Sequence, residues 1–455
     1  MCLLLLAKAL TIGYNAPMYD LLLRDLSSRK KPIDVIVCGL GFMGLGFVSG
    51  SSSIPGIRVP VVVSRRPQET VELLKSHNIA ATIENNISLV KKNIQKGVIS
   101  VTDDLNIIKK YKCKVVIEMT GTVEYGTEVA LKVIDAGKHL VTMNPELQAT
   151  VGTKLKELAD KKKLVVTDVL GDQPGSLTRM IAQAKLMGFE VVVAGNMKRF
   201  MNESATQKEM QPWADSKGLN VKQTTSFTDG TKQSIEMNLV ANHFGMTVKE
   251  RGMVGLKVES LNELLVSYDF SKLPKSGVVD YALGLNLFPG IFIIAKHKDP
   301  NQVKYLKYLS LGEGPYYLLF EPYHLCHLEV AQTIAKVVLY RLPTINNSST
   351  PTTITTTVAK RDIKKGEKID GIGGDMVYGV IDSLKATKKA LPVGLAGGAT
   401  ALFDIKKGMP IRLTDVTLPT SPATVLLGMI KSPSPEKKSF LHFPIHFPSF
   451  SPAIR

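Results

Sequence analysis

The chain has 455 residues, 44% of them hydrophobic and 21% charged. This is ordinary globular composition, too long for one core, so two or three domains are expected and fibrous or wholly disordered classes are excluded. The formal net charge is +17, but Lys and Arg are spread along the whole chain with no aromatic-basic ladder, which argues for a small anionic substrate and against nucleic acid.

Four cysteines, Cys2, Cys38, Cys113 and Cys326, stand far apart, so no disulfide framework is implied and a reducing compartment is expected. The opening MCLLLLAKALTIG has the look of a short signal core. Lys8 interrupts it, no basic residue precedes it and no small-residue cleavage site follows, so the protein reads as cytoplasmic. No segment has the apolar length of a membrane span, so no membrane partner is expected.

Residues 1–31 end in an amphipathic helix over 16–31 (Met18, Leu21, Leu22, Leu26). From 32 to 190 apolar strands alternate with helices. The strands are 33–38, 59–64, 113–121, 138–143 and 163–169; the helices are 68–76, 105–111, 124–136 and 152–161. That alternation predicts an α/β fold with a Rossmann-type, doubly wound parallel sheet. Residues 77–100 have weak pattern and lengthen one crossover. From 191 to 344 the texture is mixed α+β, read as a substrate and oligomerisation domain that makes a homodimer. The Ser/Thr-rich run INNSSTPTTITTT, 345–357, reads as a linker. Residues 358–418 hold two copies of Asp-Ile-Lys-Lys-Gly and form a small β-rich domain. Residues 419–455, rich in Ser, Pro and Phe, read as a disordered tail.

The most specific local signal is GLGFMG at 39–44, directly after the first strand and opening a helix. Gly39, Gly41 and Gly44 remove the Cβ atoms that would block a tight turn and close approach of a pyrophosphate, with Phe42 and Met43 completing the turn. The second strand ends at Ser64, followed by Arg65 and Arg66, where an NAD-selective site places a carboxylate for the ribose 2′-hydroxyl. A hydroxyl and two guanidiniums suit a 2′-phosphate, so the expected cofactor is NADP(H). Thr120, Gly121 and Asn144, at the ends of the third and fourth predicted strands, are further candidate cofactor contacts.

The phrases EMTG (118–121) and DAGKHLVTMN (135–144) resemble the nucleotide domain of homoserine dehydrogenase. GDQPG (171–175), AGNMKRF (194–200), TSFTDGTK (225–232), GEGPYYLLFEPYHLCHLEV (312–330) and DGIGGDMVYG (370–379) resemble a relative of it, the predicted homoserine dehydrogenase family with a C-terminal SAF domain. The doubled Asp-Ile-Lys-Lys-Gly region looks like that SAF domain. The family includes enzymes similar in activity to 1-deoxy-D-xylulose 5-phosphate reductoisomerase, so the resemblance implies an NADPH-dependent oxidoreductase of a small polar, anionic hydroxy or oxo compound. Homoserine dehydrogenase itself is the alternative; its family carries a Lys after the Asn matching Asn144, whereas Pro145 stands here. A non-catalytic NADP-sensing module is a further alternative.

Reducing a carbonyl calls for a proton donor and positive charge at the developing alkoxide, and a buried lysine supplies both. Lys198, after the strand EVVVA, and Lys232, on an expected hairpin turn at Asp229-Gly230, are the candidate catalytic cations. Asp172 and Glu146 are the candidate carboxylates. A divalent ion such as Mg²⁺ would find oxygen ligands in Asp172, Glu146 or Glu236. In YHLCHLEV, the local run His324, Cys326, His327 and Glu329 is too compact to surround one zinc ion, and no metal site is expected there.

Overall fold

The computed structural model describes residues 18–387 and 389–430. The apolar N-terminal stretch MCLLLLAKALTIG and residues 431–455 of the expected tail lie outside them. The helix Met18–Ser27 buries Leu22 and Leu26 against one face of the first sheet.

That sheet contains β1 (Ile33–Cys38), β2 (Ile57–Val63), β3 (Ala81–Ile83), β4 (Ile99–Thr102), β5 (Val115–Glu118), β6 (His139–Thr142) and β7 (Val166–Asp168). Their order is β3-β4-β2-β1-β5-β6-β7, and every pairing is parallel. The strands read as near-continuous Val/Ile runs because helices cover both faces; Val35, Val37, Val61, Val62 and Val63 have no exposed surface. The chain winds from β1 through β2 to β3 at the edge, inserts β4 between β3 and β2, and then crosses back to β5. The switch point therefore lies between β1 and β5, where an open α/β sheet binds its ligand beyond the strand ends.

Residues 77–100 are not a plain crossover. They contain β3, the helix Ile87–Gln95 capped by Asn86, and β4. Strands of three and four residues are too short to show a period.

The second sheet is mixed. It comprises β8 (Phe189–Lys198), β9 (Leu256–Lys257), β10 (Val278–Leu283), β11 (Ile291–His297) and β12 (Tyr316–Glu321), in the order β12-β11-β8-β10-β9. The helices Gln173–Leu186 and Thr231–Phe244 bury Leu177, Ile181, Met237 and Val240 against one face. The expected hairpin at Asp229-Gly230 is instead a helix-turn-helix. Val221–Thr228 ends at Asp229, Gly230 takes φ +84°, and Thr231–Phe244 begins. An Asp-Gly pair supplies a positive φ, which closes a helix as readily as it turns a hairpin.

The Ser/Thr run at 345–357 is not a linker. Asp168 N donates to Ile345 O at 2.7 Å, and Thr353–Ala359 is β13, paired antiparallel with β14 (Val377–Ser383). Thr355, Thr356 and Thr357 are buried, and their branched Cβ atoms suit a strand. The two Asp-Ile-Lys-Lys-Gly copies face each other: Lys364 pairs with Asp404 and Lys406 with Asp362, each at 2.9 Å, around an Ile363–Ile405 bridge. A short ladder of β15 (Thr400–Ala401) and β16 (Val416–Thr417) follows. The expected tail begins too early, because the helix Pro422–Leu426 is capped by Ser421 and its Ala423 joins the core that holds Val133 and Leu155.

Candidate active site

The glycine turn leaves β1 and enters the helix Phe42–Gly50 at the switch point. Gly39 has φ +95°, and a Cβ there would lie 2.8 Å from Met119 O on the neighbouring strand end, so only glycine fits. A Cβ on Gly41 would meet nothing within 4 Å, which leaves its outer side free for a ligand. Phe42 and Met43 are exposed at the helix start. The N–H groups there point out of an uncapped N-terminus, the arrangement that receives a phosphate.

Beyond β2, Ser64 Oγ accepts from Thr70 Oγ1 at 2.7 Å and from Arg66 N at 3.2 Å. The Arg65 guanidinium lies 4.8 Å over the Tyr125 ring, while Arg66 pairs with the exposed Glu69 at 3.0 Å. Of the two, Arg66 is thus engaged by a carboxylate and Arg65 by a ring face.

At the end of β5, Glu118 is fully buried. It accepts from Thr120 N at 2.7 Å and from Asn144 Nδ2 at 3.2 Å. Burial pushes its carboxyl up to about 7, against the pull of those hydrogen bonds. Asn144 also donates to Thr122 O and caps the helix Pro145–Lys161 through Leu147 N. Both ends of its amide are engaged within the protein, so its role is to shape the strand end. Pro145 takes the first helical position, which needs no N–H donor.

Near the ends of β7 and β8, one partly buried ionic cluster gathers from four segments. Glu146 accepts two hydrogen bonds from Lys232 Nζ, at 3.0 and 3.2 Å. Burial disfavours the Lys232 charge, but the carboxylates of Glu146, Asp172 and Glu236 outweigh it and raise its pKa, so Lys232 is a fixed cation. The ammonium of Lys198, at the end of β8, has no hydrogen-bonded or ion-paired partner among the described residues, while its carbonyl accepts from Gly284 N. Burial lowers its pKa, with Glu236 opposing. Glu236 accepts from Asn196 at 3.1 Å, and burial together with Asp172 raises its carboxyl to about 7. Asp168, at the end of β7, is buried, and burial and Asp172 raise its pKa. Two lysines of this cluster are therefore shifted in opposite directions, Lys232 upwards and Lys198 downwards.

Asp172 lies beside His324 and Cys326, and its Oδ1 is 4.0 Å from Cys326 Sγ. Gly171 permits this, since at φ +88° its missing Cβ would lie 2.9 Å from Leu325 O. Arg179 holds the segments together. It makes two 2.7 Å bonds to Glu321 and one of 2.8 Å to Glu329 in the helix Cys326–Ala335. That helix also meets the nucleotide side, with His327 packed against Gly46 in the helix after the glycine turn. The ionic cluster and the glycine turn are thus joined through shared packing.

The structure brings together Lys198, Lys232, Asp172 and Glu146, the four expected catalytic residues. Sequence reasoning saw Glu236 only as an oxygen ligand and missed Asp168 and the Arg179–Glu321–Glu329 brace. Asp168 carried a signal, an acid closing a buried strand; Arg179 carried none. His327 and Glu329 leave the YHLCHLEV group for helix packing and the brace.

Residues 171–330 match the family model described as the catalytic domain of oxidoreductase DRL. A homoserine dehydrogenase of Methylobacillus glycogenes is 33% identical over 135 residues, covering 29% of this chain and 29% of that protein. One from Neisseria gonorrhoeae is 28% identical over 137 residues, covering 30% of this chain and 28% of that protein. The chain thus spans less than a third of the length of these relatives. Among solved structures, a probable dehydrogenase from Thermotoga maritima is 12% identical, covers 68% of this chain and 90% of its own, and has a TM-score of 0.40. Asp172, Lys198, Lys232, Glu236, His324 and Cys326 all fall inside the segment that matches the catalytic domain of the DRL oxidoreductases.

Proposed function

We propose that the chain is an NADPH-dependent oxidoreductase acting on a small anionic hydroxy or oxo compound, in the manner of a 1-deoxy-D-xylulose 5-phosphate reductoisomerase. The observation that carries this reading is the pair of half-buried lysines, Lys198 with its ammonium unpartnered and Lys232 held charged by Glu146. The bound nicotinamide would supply or take up the hydride. The N–H groups after Gly41 would hold its pyrophosphate, and Arg65 would favour a 2′-phosphate. Lys232 would hold the anionic group of the substrate. Lys198 would give a proton to the reacting oxygen during reduction and take it back during oxidation, because its lowered pKa makes both directions accessible. The small C-terminal domain, SAF-like by resemblance, would brace the turn that carries Lys232.

The test is Lys198→Ala. NADPH affinity is expected to be unchanged and turnover to fall by about 10²–10⁴-fold, the usual worth of a positioned acid-base group. Unchanged turnover would remove Lys198 from the chemistry. A cofactor sensor, by contrast, would need no lysine here. Homoserine dehydrogenase is the second reading, favoured by the curated relatives. Against it, Pro145 brings neither charge nor N–H to the first turn where that family has a lysine.

A further inference from the structure

Asp172, His324 and Cys326 present an oxygen, a nitrogen and a sulfur that all lie within 4.8 Å of one another. Cys326 Sγ is 3.4 Å from His324 Nδ1 and 4.0 Å from Asp172 Oδ1, a residue 154 positions away. A tetrahedral zinc ion with bonds of about 2.3 Å to sulfur and about 2.0–2.1 Å to nitrogen and oxygen sets its ligands roughly 3.3–3.6 Å apart. The sulfur-nitrogen separation is already of that size, and the sulfur-oxygen one needs a few tenths of an ångström. We propose that these three side chains form a binding site for a divalent cation of the zinc class, with its fourth position left for an outside ligand beside the cluster of Lys198, Lys232 and Glu236.

The donor set decides the class. A thiolate and an imidazole select zinc or cobalt over magnesium, which prefers six oxygens. Three protein ligands and one open position is also the composition of catalytic rather than structural zinc sites. The surroundings fit. Asp172 and Cys326 are buried and His324 half-buried, while Tyr323 and Leu325 beside them are exposed, so the site opens at a rim. Asp172 Oδ1 is oriented by Gln173 N at 3.0 Å. His324 Nδ1 lies 3.2 Å from Gly171 O. When the ion binds through Nδ1, that contact is released and the ring keeps its proton on Nε2. The Cys326 thiol gives up its proton to solvent, so one proton leaves per ion bound. A substrate oxygen at the open position would be polarised next to Lys198. That role rests on the oxidoreductase reading; the site does not.

The test uses the full chain, stripped with chelator and titrated with Co²⁺, followed by the thiolate-to-cobalt charge-transfer band, and separately with Zn²⁺ to displace the cobalt. The expected result is one ion per chain, a thiolate band and full displacement by zinc. Cys326→Ser should lose the band, and Cys113→Ser should keep it. His324→Gln and Asp172→Asn should keep the band at saturation but weaken cobalt binding by at least about tenfold, a ligand being worth no less than an outer-shell partner. Each variant is compared with the parent by circular dichroism. No thiolate band in the parent chain, or a band that survives Cys326→Ser, overturns the proposal. Either result leaves NADPH turnover free to stand or fall separately.

Discussion

Lys360 ties the small C-terminal domain to the turn that carries Lys232, and its removal has a calculable consequence. Its ammonium lies 2.7 Å from Asp229 Oδ2, with the two side chains 2% and 0% exposed. It also donates to Ala205 O and Gly374 O, each at 2.8 Å. Lys360→Met keeps the aliphatic stem but leaves a buried carboxylate uncompensated and two carbonyls without their donor. Breaking a buried pair from one side costs about 3–5 kcal/mol, or roughly 10²–10⁴-fold in the folding equilibrium. Asp229→Asn added to Lys360→Met should recover much of the loss, since the stranded charge is then gone while the bond from Thr231 N remains available.

The pH dependence has a definite sign. Burial already raises the Asp229 pKa against the pull of Lys360, and removing Lys360 raises it further. A raised carboxyl contributes stability below its unfolded pKa and loses it as pH rises through the folded one. The deficit of Lys360→Met should therefore be full at neutral pH and shrink towards the ordinary carboxylate range. The assay is the urea midpoint at several pH values, with hydrogen exchange across 225–244. A cost below about 1 kcal/mol at neutral pH, or a deficit indifferent to acid, would refute the reasoning.

Three further perturbations separate the site from the scaffold. Gly41→Val adds atoms where the protein offers no neighbour within 4 Å. Calorimetry should therefore find apo stability within about 0.5 kcal/mol of the parent, but NADPH affinity at least about tenfold weaker because the pyrophosphate approach is blocked. Arg65→Ala should weaken NADPH more than NADH in direct titration; equal losses would remove the 2′-phosphate assignment. Glu118→Gln should flatten stability against pH. The parent carboxyl keeps its proton up to about 7, so the parent should lose roughly 3 kcal/mol as pH rises from the ordinary glutamate range through that value. A parent and a variant with parallel pH profiles would contradict the burial of that charge.

The nucleotide half of the fold was legible because buried parallel strands and glycine turns are local signals. GLGFMG sits where its spacing puts it, between a strand and a helix. Lys198 and Lys232 were legible as candidates, but their difference was not. It arises from Glu146, Asp172 and Glu236 converging on Lys232, a tertiary arrangement that no window of sequence contains. The same holds for Cys326, whose partners looked local in YHLCHLEV until Asp172 arrived from another segment. The Ser/Thr run misled because composition suggested a linker while the branched side chains of Thr353–Ala359 built a buried strand. Residues 77–100 hid two strands for lack of length.

The most direct test of the account is NADPH consumption, followed by absorbance, with 1-deoxy-D-xylulose 5-phosphate and with aspartate semialdehyde as alternative substrates, for the parent chain and Lys198→Ala. The account predicts that the parent consumes NADPH with the sugar phosphate and that Lys198→Ala binds NADPH equally well but turns over about 10²–10⁴-fold more slowly. Aspartate semialdehyde as the sole substrate, or sugar-phosphate turnover that survives Lys198→Ala, would contradict it.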